Sequence, residues 1–287
     1  MIKKRGLILT LKKTIQLVTG ITIASCLIIC LNSKVNADTK KQTVKNTDKV
    51  QHLIIDAPTK VILKTGSEFQ VQSKFPNLKK TTITNQNGKL KVSYPHKKHL
   101  WGIQINSKQP KSVVTVTIPS NLKLTDLKIK SKAADVQTDA AIKKLLIASH
   151  SGDVKLTKTN SKNLTIKSES GDINIDQVKV ENDNYLSSES GDVKISNSQF
   201  NSMQANSESG DIFISNLIAK TLKLNSDSGN VKINNQKATK YNQVIINSDS
   251  GDVEIKNSKI NKSKIDTAGG DLDLPKTKIN HSENSTE

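Results

Sequence analysis

Two columns of carboxylates recur through the second half of this 287-residue chain, and they are the residues whose type and spacing could do chemistry. One column is Asp135, Asp153, Asp172, Asp192, Asp211, Asp252 and Asp271, with Asn230 in the place of an eighth acid. The other is Glu169, Glu189, Glu208, Asp227 and Asp249. Carboxylates at a fixed repeat are what a calcium-binding repeat helix offers, and a pair of carboxylates is what a glycosidase uses. A plainer reading competes with both. An Asp beside a Gly commonly accepts a hydrogen bond from the backbone of its turn, and Asn230 keeps that acceptor while losing the charge. Acids present in every copy are architecture rather than one catalytic pair. Carboxylates about 4.8 Å apart repel by about 0.9 kcal/mol per neighbour in water. Lys155, Lys194 and Lys232, two residues beyond the Asp, stand on the same face to offset that. The expectation is turn capping with lysine screening and no cofactor, calcium being the alternative.

Other chemistry is sparse. The histidines (His52, His96, His99, His150, His281) are scattered, and His96-x-x-His99 has no third ligand nearby, so it reads as loop. There is no nucleophile motif and no phosphate-cradling Gly loop. The chain is expected to be non-catalytic, with no catalytic, cofactor or metal residue to assign. One irregular segment stands out, Tyr94-Pro95-His96-Lys97-Lys98-His99-Leu100-Trp101, where the single Trp follows a basic run. Lys97, Lys98 and Trp101 are the candidate loop for an anionic polymer; the plainer role for Trp101 is to pack a cap onto the body.

The elements that must position these residues are read from the repeat. Ala134, Gly152, Gly171, Gly191, Gly210, Gly229, Gly251 and Gly270 follow one another at steps of 18, 19, 20, 19, 19, 22 and 19. Self-similarity at that period signals stacked coils. Two residues after each anchor come Val136, Val154, Ile173, Val193, Ile212, Val231, Val253 and Leu272, and an apolar residue usually follows two further on. Five before it come Ile129, Ile147, Ile166, Leu186, Ala205, Leu224, Ile246 and Ile265. This period of two is that of a strand. The alternation slips by one residue at the anchor, so Ser-Gly-Asp reads as a corner: Gly for an unusual backbone, and the serines at −3 and −1 (Ser168 and Ser170, for example) for the tight inside. Val178 and Leu217 are placed to supply a short third strand. The fold class is all-β, a single-stranded β-solenoid (β-helix-like) of about eight coils. At about 4.8 Å per coil the rod is about 40 Å long. With hydrophobics at 34% and aromatics at 3%, a stack of thin coils suits the composition better than a thick globular core.

Residues 50–118 carry less regular strands with an Asn87-Gly88 hairpin signal, read as a β-rich N-terminal cap on the repeats of 119–275. Residues 38–49 read as a linker, and 276–287 as a frayed polar tail. Residues 1–37 have a basic start, an apolar stretch and Val35-Asn36-Ala37 before Asp38, the pattern of a signal peptide cleaved between Ala37 and Asp38. A lipid anchor on Cys26 and an uncleaved signal anchor are the alternatives; all three export the body. Membrane association is then expected only through an uncleaved N-terminal segment. Cys26 and Cys30 are the only cysteines, so the body has no disulfide framework. The net charge is +18; beyond residue 37, 38 Lys face 26 acids, leaving +12. Such a surface favours polyanions, but the sole arginine, Arg5, lies in the leader, so nucleic acid readout is not expected.

The repeated S-x-S-G-D-[VI]-x-[IL] coils, preceded by Val114 to Leu124 (VTVTIPSNLKL), resemble the DUF4097 family of bacterial β-strand repeat proteins labelled adhesins, over roughly residues 50–274. Ala133-Ala134 and Asn230 depart from the pattern. The resemblance implies a surface or envelope role and no particular activity. The chain is therefore expected at the cell surface or outside the cell of a Gram-positive bacterium. It would act as an adhesin or scaffold meeting cell-envelope polyanions, host surface glycans or host proteins. The alternative is an envelope-stress or cell-wall-associated regulatory protein that binds anionic polymer or lipid.

Overall fold

The computed structural model describes residues 39–44, 49–74, 82–94, 113–283 and 285–286. Its strands begin with β1 (Thr39–Thr43), β2 (His52–Gly66), β3 (Gln70–Lys74), β4 (Thr82–Gln86), β5 (Lys89–Ser93), β6 (Val113–Pro119), β7 (Lys123–Gln137), β8 (Ala141–Ser149), β9 (Val154–Thr157), β10 (Asn160–Ser168) and β11 (Ile173–Asp176). All strands join one sheet, coiled into a β-solenoid of about eight turns, and the described residues contain no helix.

The strands form because alternate residues can be buried. Along β2 the inward Leu53, Ile55, Ala57, Val61 and Leu63 are fully covered while their neighbours face out. Register then stacks like on like. Ile55, Ile129, Ile147, Ile166 and Leu186 lie on successive coils, and Ala205, Leu224, Ile246 and Ile265 continue the row. Every one is fully buried. Each such Ile or Leu contributes about 1.5–3 kcal/mol by leaving water. Beyond the first corner a second row runs Val154, Ile173, Val193, Ile212, Val231 and Val253. Val178 and Leu217 are buried as expected, beside two-residue third strands such as Lys179–Val180 and Gln199–Phe200.

The stack extends to both sides of the repeats. β2 lies between coils: it pairs in parallel with β5 and β6 on one side and with β7 on the other. The chain thus lays down an inner coil first, builds the terminal coil next, and then crosses to the far side. Pairing runs without a break across residue 118. The capping strands proper are antiparallel: β4 covers β5, β3 covers β6, and β1, in the segment read as a linker, covers β3. Asn87 and Gly88 both have positive φ (50° and 73°), so β4 and β5 meet in the type I′ turn that their sequence signals. At the other end the segment read as a frayed tail adds a partial coil, with Lys278–Ser282 parallel to Val253–Thr267.

The 22-residue step is absorbed in one long strand, Val231–Ser248, whose register shifts between Asn234 and Thr239. Tyr241 fills the space inside, its hydroxyl donating to the Leu217 carbonyl (3.1 Å) and accepting from Asn235 (3.2 Å). Burial pushes the Tyr241 hydroxyl up to about 12. A second corner, six residues past each anchor glycine except Gly229, is missing from the sequence reading. Lys158, Gln177, Asn197, Asn216, Asn257 and Lys276 occupy it with φ of 46–54°. The reason it escapes notice is that no glycine marks it; polar residues take the left-handed turn, with Asn the best suited.

Candidate functional site

The Ser-Gly-Asp corner is built from three roles. Ser at −3 is buried and accepts from the N–H of its own glycine; Ser188, Ser207 and Ser226 also donate to the glycine carbonyl of the preceding coil, while Ser248 donates to that of its own Gly251 (2.7 Å). For Ser188 the two bonds are 2.9 Å from Gly191 and 3.2 Å to Gly171; Ser207 repeats the pattern at 3.0 and 3.3 Å. The serine at −1 does not line the inside. Ser170, Ser190, Ser209, Ser228 and Ser250 are exposed, because the glycine itself takes the inward place.

The glycine is there for space, not for an unusual backbone. None of the corner glycines has positive φ. A Cβ on Gly171 would lie 2.3 Å from the Gly152 carbonyl carbon, and one on Gly191 2.4 Å from that of Gly171. Successive coils touch backbone to backbone at this corner, and any side chain would force them apart.

The Asp also differs from a simple turn cap, because it serves the following coil. Asp153 Oδ1 accepts from the Asp172 N–H (3.1 Å), Asp172 from Asp192 (3.0 Å), and Asp192 from Asp211 (2.9 Å). Asp211 then accepts from Asn230 (2.7 Å), Asn230 from Asp252 (2.8 Å) and Asp252 from Asp271 (3.0 Å). Asn230 fits because only an acceptor oxygen is required.

The first coil departs further than the sequence indicates. Ser131 pairs with Ser149, but Ala134 pairs with Val154 and Asp135 with Lys155, so β7 runs straight through where later coils turn. Asp135 therefore lies outside the acceptor column, and its oxygen is 3.9 Å from Lys60 Nζ. Ser131 Oγ is buried with no hydrogen-bond partner among the described residues, since its coil has no glycine corner to hold.

Of the three screening lysines, Lys194 alone takes the expected place, 2.8 Å from Asp192 and 3.7 Å from Asp172. Lys232 approaches Glu254 instead (3.8 Å). Burial works against ionising Asp192, but Lys194 and the Asp211 N–H outweigh it and hold the carboxyl below the usual range. Asp176, at the second corner, is held down mainly by hydrogen bonds from Ser196 and Asn197.

The acids at −2 form an exposed ridge on the first corner. Glu169 pairs with His150, and His52 with Asp126 at 2.6 Å. Among the described residues no group of three His, Cys, Asp or Glu is arranged to hold a metal. One shallow groove of about 500 Å³ lies on the outer face, between Lys144, Asn163, Asp183, Tyr185 and Gln204. It opens where Asn184 replaces a leucine of the inward row and bonds the next coil's backbone, accepting from the Gln204 N–H (3.1 Å) and donating to the Ser202 carbonyl. The candidate loop Lys97, Lys98 and Trp101, the pair His96 and His99, and the cleavage point Ala37–Asp38 all lie outside the described residues.

Two solved structures resemble the chain distantly. One is a "putative adhesin" from Bacteroides fragilis NCTC 9343, 15% identical, covering 87% of this chain and 96% of that one at a TM-score of 0.38. The other is a "putative cell adhesion protein" from Clostridium sporogenes ATCC 15579, 9% identical, covering 86% and 99% at 0.25. Likeness at that level says nothing of a ligand. No curated protein matches. The model of DUF4097, described as Toastrack, matches residues 50–243 and again 214–286, taking in the repeats and the strands that precede them. The chain therefore belongs to the DUF4097 (Toastrack) family.

Proposed function

We propose that this chain is a non-catalytic surface module, an exported rod that meets envelope or host partners through its outward side-chain columns, as an adhesin or scaffold of a Gram-positive cell. One observation carries the reading: the only motif repeated often enough to be a site is consumed by its own architecture. Ser, Gly and Asp of each corner are spent on hydrogen bonds and close contacts between coils. Binding chemistry is thereby left to the residues that face out. The Asp column works as amide acceptors, an occupation that Asn230 shares, and this favours a role without calcium.

Export rests on the basic and apolar N-terminal pattern before Asp38. The test uses bacteria producing the full chain. Cleavage by an external protease on intact cells, with a mature N-terminus at Asp38, is expected; a chain protected until lysis would sink the surface reading. Sugar release from any member of a polysaccharide panel would overturn the non-catalytic half. A calcium titration that raises the melting temperature would overturn the metal-free half.

A further inference from the structure

The third strand of the last coils, and the bend that follows it to the next coil, carry a row of lysines that form no ion pair among the described residues; this edge is the third corner. Lys240, Lys259 and Lys278 stand in register on three successive coils, about 4.8 Å apart along the axis. Lys262 and Lys264 continue around the corner on the middle coil, and Lys262 lies opposite His281 on the next. The coil before adds Lys220, whose carbonyl accepts from the Asn242 N–H (2.8 Å), and Lys223, which pairs with Ile245 in the column of Lys264. All seven lysines are exposed. None has an ion-pair partner among the described residues, whereas Lys60, Lys162, Lys194 and Lys232 elsewhere on the rod each approach an acid. The same column on earlier coils holds Asn160, Lys179, Gln199 and Ile218, so the positive line belongs to the C-terminal part of the stack.

We propose that this corner binds a flexible linear phosphodiester polymer of the polyol-phosphate kind, laid along the rod axis. The proposal rests on the surface-module reading above and gives it a partner and a place. Parallel rows of like charges held at a fixed spacing repel one another, and a polyanion crossing the coils relieves that. Lysine suits a phosphodiester, which needs a point charge and no bidentate fork. A nucleic acid strand is disfavoured because base stacking needs exposed aromatic faces, and Tyr241, the aromatic of this region, is buried. A membrane surface is disfavoured because interfacial binding needs an apolar face, and Ile218 is the single exposed large hydrophobic among the described residues.

The experiment titrates end-labelled poly(glycerol phosphate) with the purified full chain over a range of salt. Three proteins are compared: wild type, K240Q/K259Q/K278Q, and the control K128Q/K130Q/K132Q, which removes equal charge from exposed positions of β7. The corner triple is expected to weaken binding at least about tenfold and to lower the log–log salt slope by about two, as for lost phosphate contacts. The control is expected to change affinity less than about threefold. Lys259→Glu alone, which leaves the flanking lysines in place, is the second variant, with several-fold weakening expected; circular dichroism checks that each variant is folded. Equal weakening by both triples would overturn the proposal in favour of diffuse charge. Tighter binding of single-stranded DNA or anionic vesicles at the same salt would overturn it in favour of those partners, and no binding by wild type at low salt would also sink it. Attachment of the same proteins to whole bacterial cells separates the two readings. Wild-type attachment that the corner triple leaves unchanged removes the corner and keeps the module; no attachment by wild type removes the module.

Discussion

Ser188 holds its corner with one accepted and one donated hydrogen bond, both buried, so Ser188→Ala leaves a glycine N–H and a glycine carbonyl without their partner. The expected cost is about 1–3 kcal/mol in a denaturant unfolding experiment. Ser131→Ala, at the matching place in the coil that has no corner, should change stability by less than about 0.5 kcal/mol, since its hydroxyl is already unpartnered. The Asp column makes a similar contrast. Asp211→Asn keeps the acceptor for the Asn230 N–H and should be nearly neutral; Asp211→Ala removes it and should cost about 1 kcal/mol or more. Acid acts on the same residues. Asp192 and Asp176 both have folded-state pKa values below the usual 3.8, so each stabilises the fold fully above that value and stops doing so as pH falls through the lower folded value. Thermal unfolding scans should therefore show stability dropping below about pH 4, and Asp192→Asn should flatten part of that drop. The roles of Asp and Ser are only half legible in the sequence. Alternation identifies −3 as inward, but carried across the corner it misplaces −1, because the backbone glycine takes up a position that period two assigns to a side chain.

At the scale of the corner and its strands, contact between coils decides. Gly191→Ala would place a methyl 2.4 Å from the Gly171 backbone, which cannot move without opening the stack. It should destabilise by at least about 3 kcal/mol, or leave the protein insoluble. Gly269→Ala meets nothing nearer than the Asp249 carbonyl at 3.2 Å, at an exposed point, and should be tolerated; melting temperatures of the two variants separate space from backbone freedom as the reason for glycine. The strands themselves are legible because Ile, Leu and Val recur every second residue at a constant distance from the anchor. The second corner is not legible, because Lys158, Gln177 and Asn197 share only a rare backbone angle. The register of β7 is hidden for another reason. Ala133-Ala134 imitates a small-residue corner, yet the alanine side chain is the inward residue of an uninterrupted strand.

The whole molecule is a one-dimensional stack in which each coil touches its neighbours and little else. Removing residues 192–210, one complete 19-residue step, joins Gly191 to Asp211 and restores every column. That shortened chain should fold with a strand signal per residue close to that of the parent; removing 20 residues from the same start should not, because the following strand is then shifted by one residue and turns its inward side chains to solvent. Circular dichroism and size-exclusion elution decide between these outcomes. The solenoid class is legible at this scale from the period alone. The position of β2 inside the stack is not, since residues 52–66 carry strand alternation but no corner motif, and only pairing on both sides identifies them as a coil.

The Asp ladder has a direction: each oxygen reaches only toward the coil that follows it in sequence. A finished coil thus presents acceptors already fixed, and in a chain that emerged from its N-terminus the next segment would pack onto that face as it arrived. A polypeptide threaded N-terminus first through a narrow exit would lock in one rung at a time, and every locked rung would resist sliding back. Assembly and transport would then share one ratchet, made of the residues that otherwise look most like a binding site.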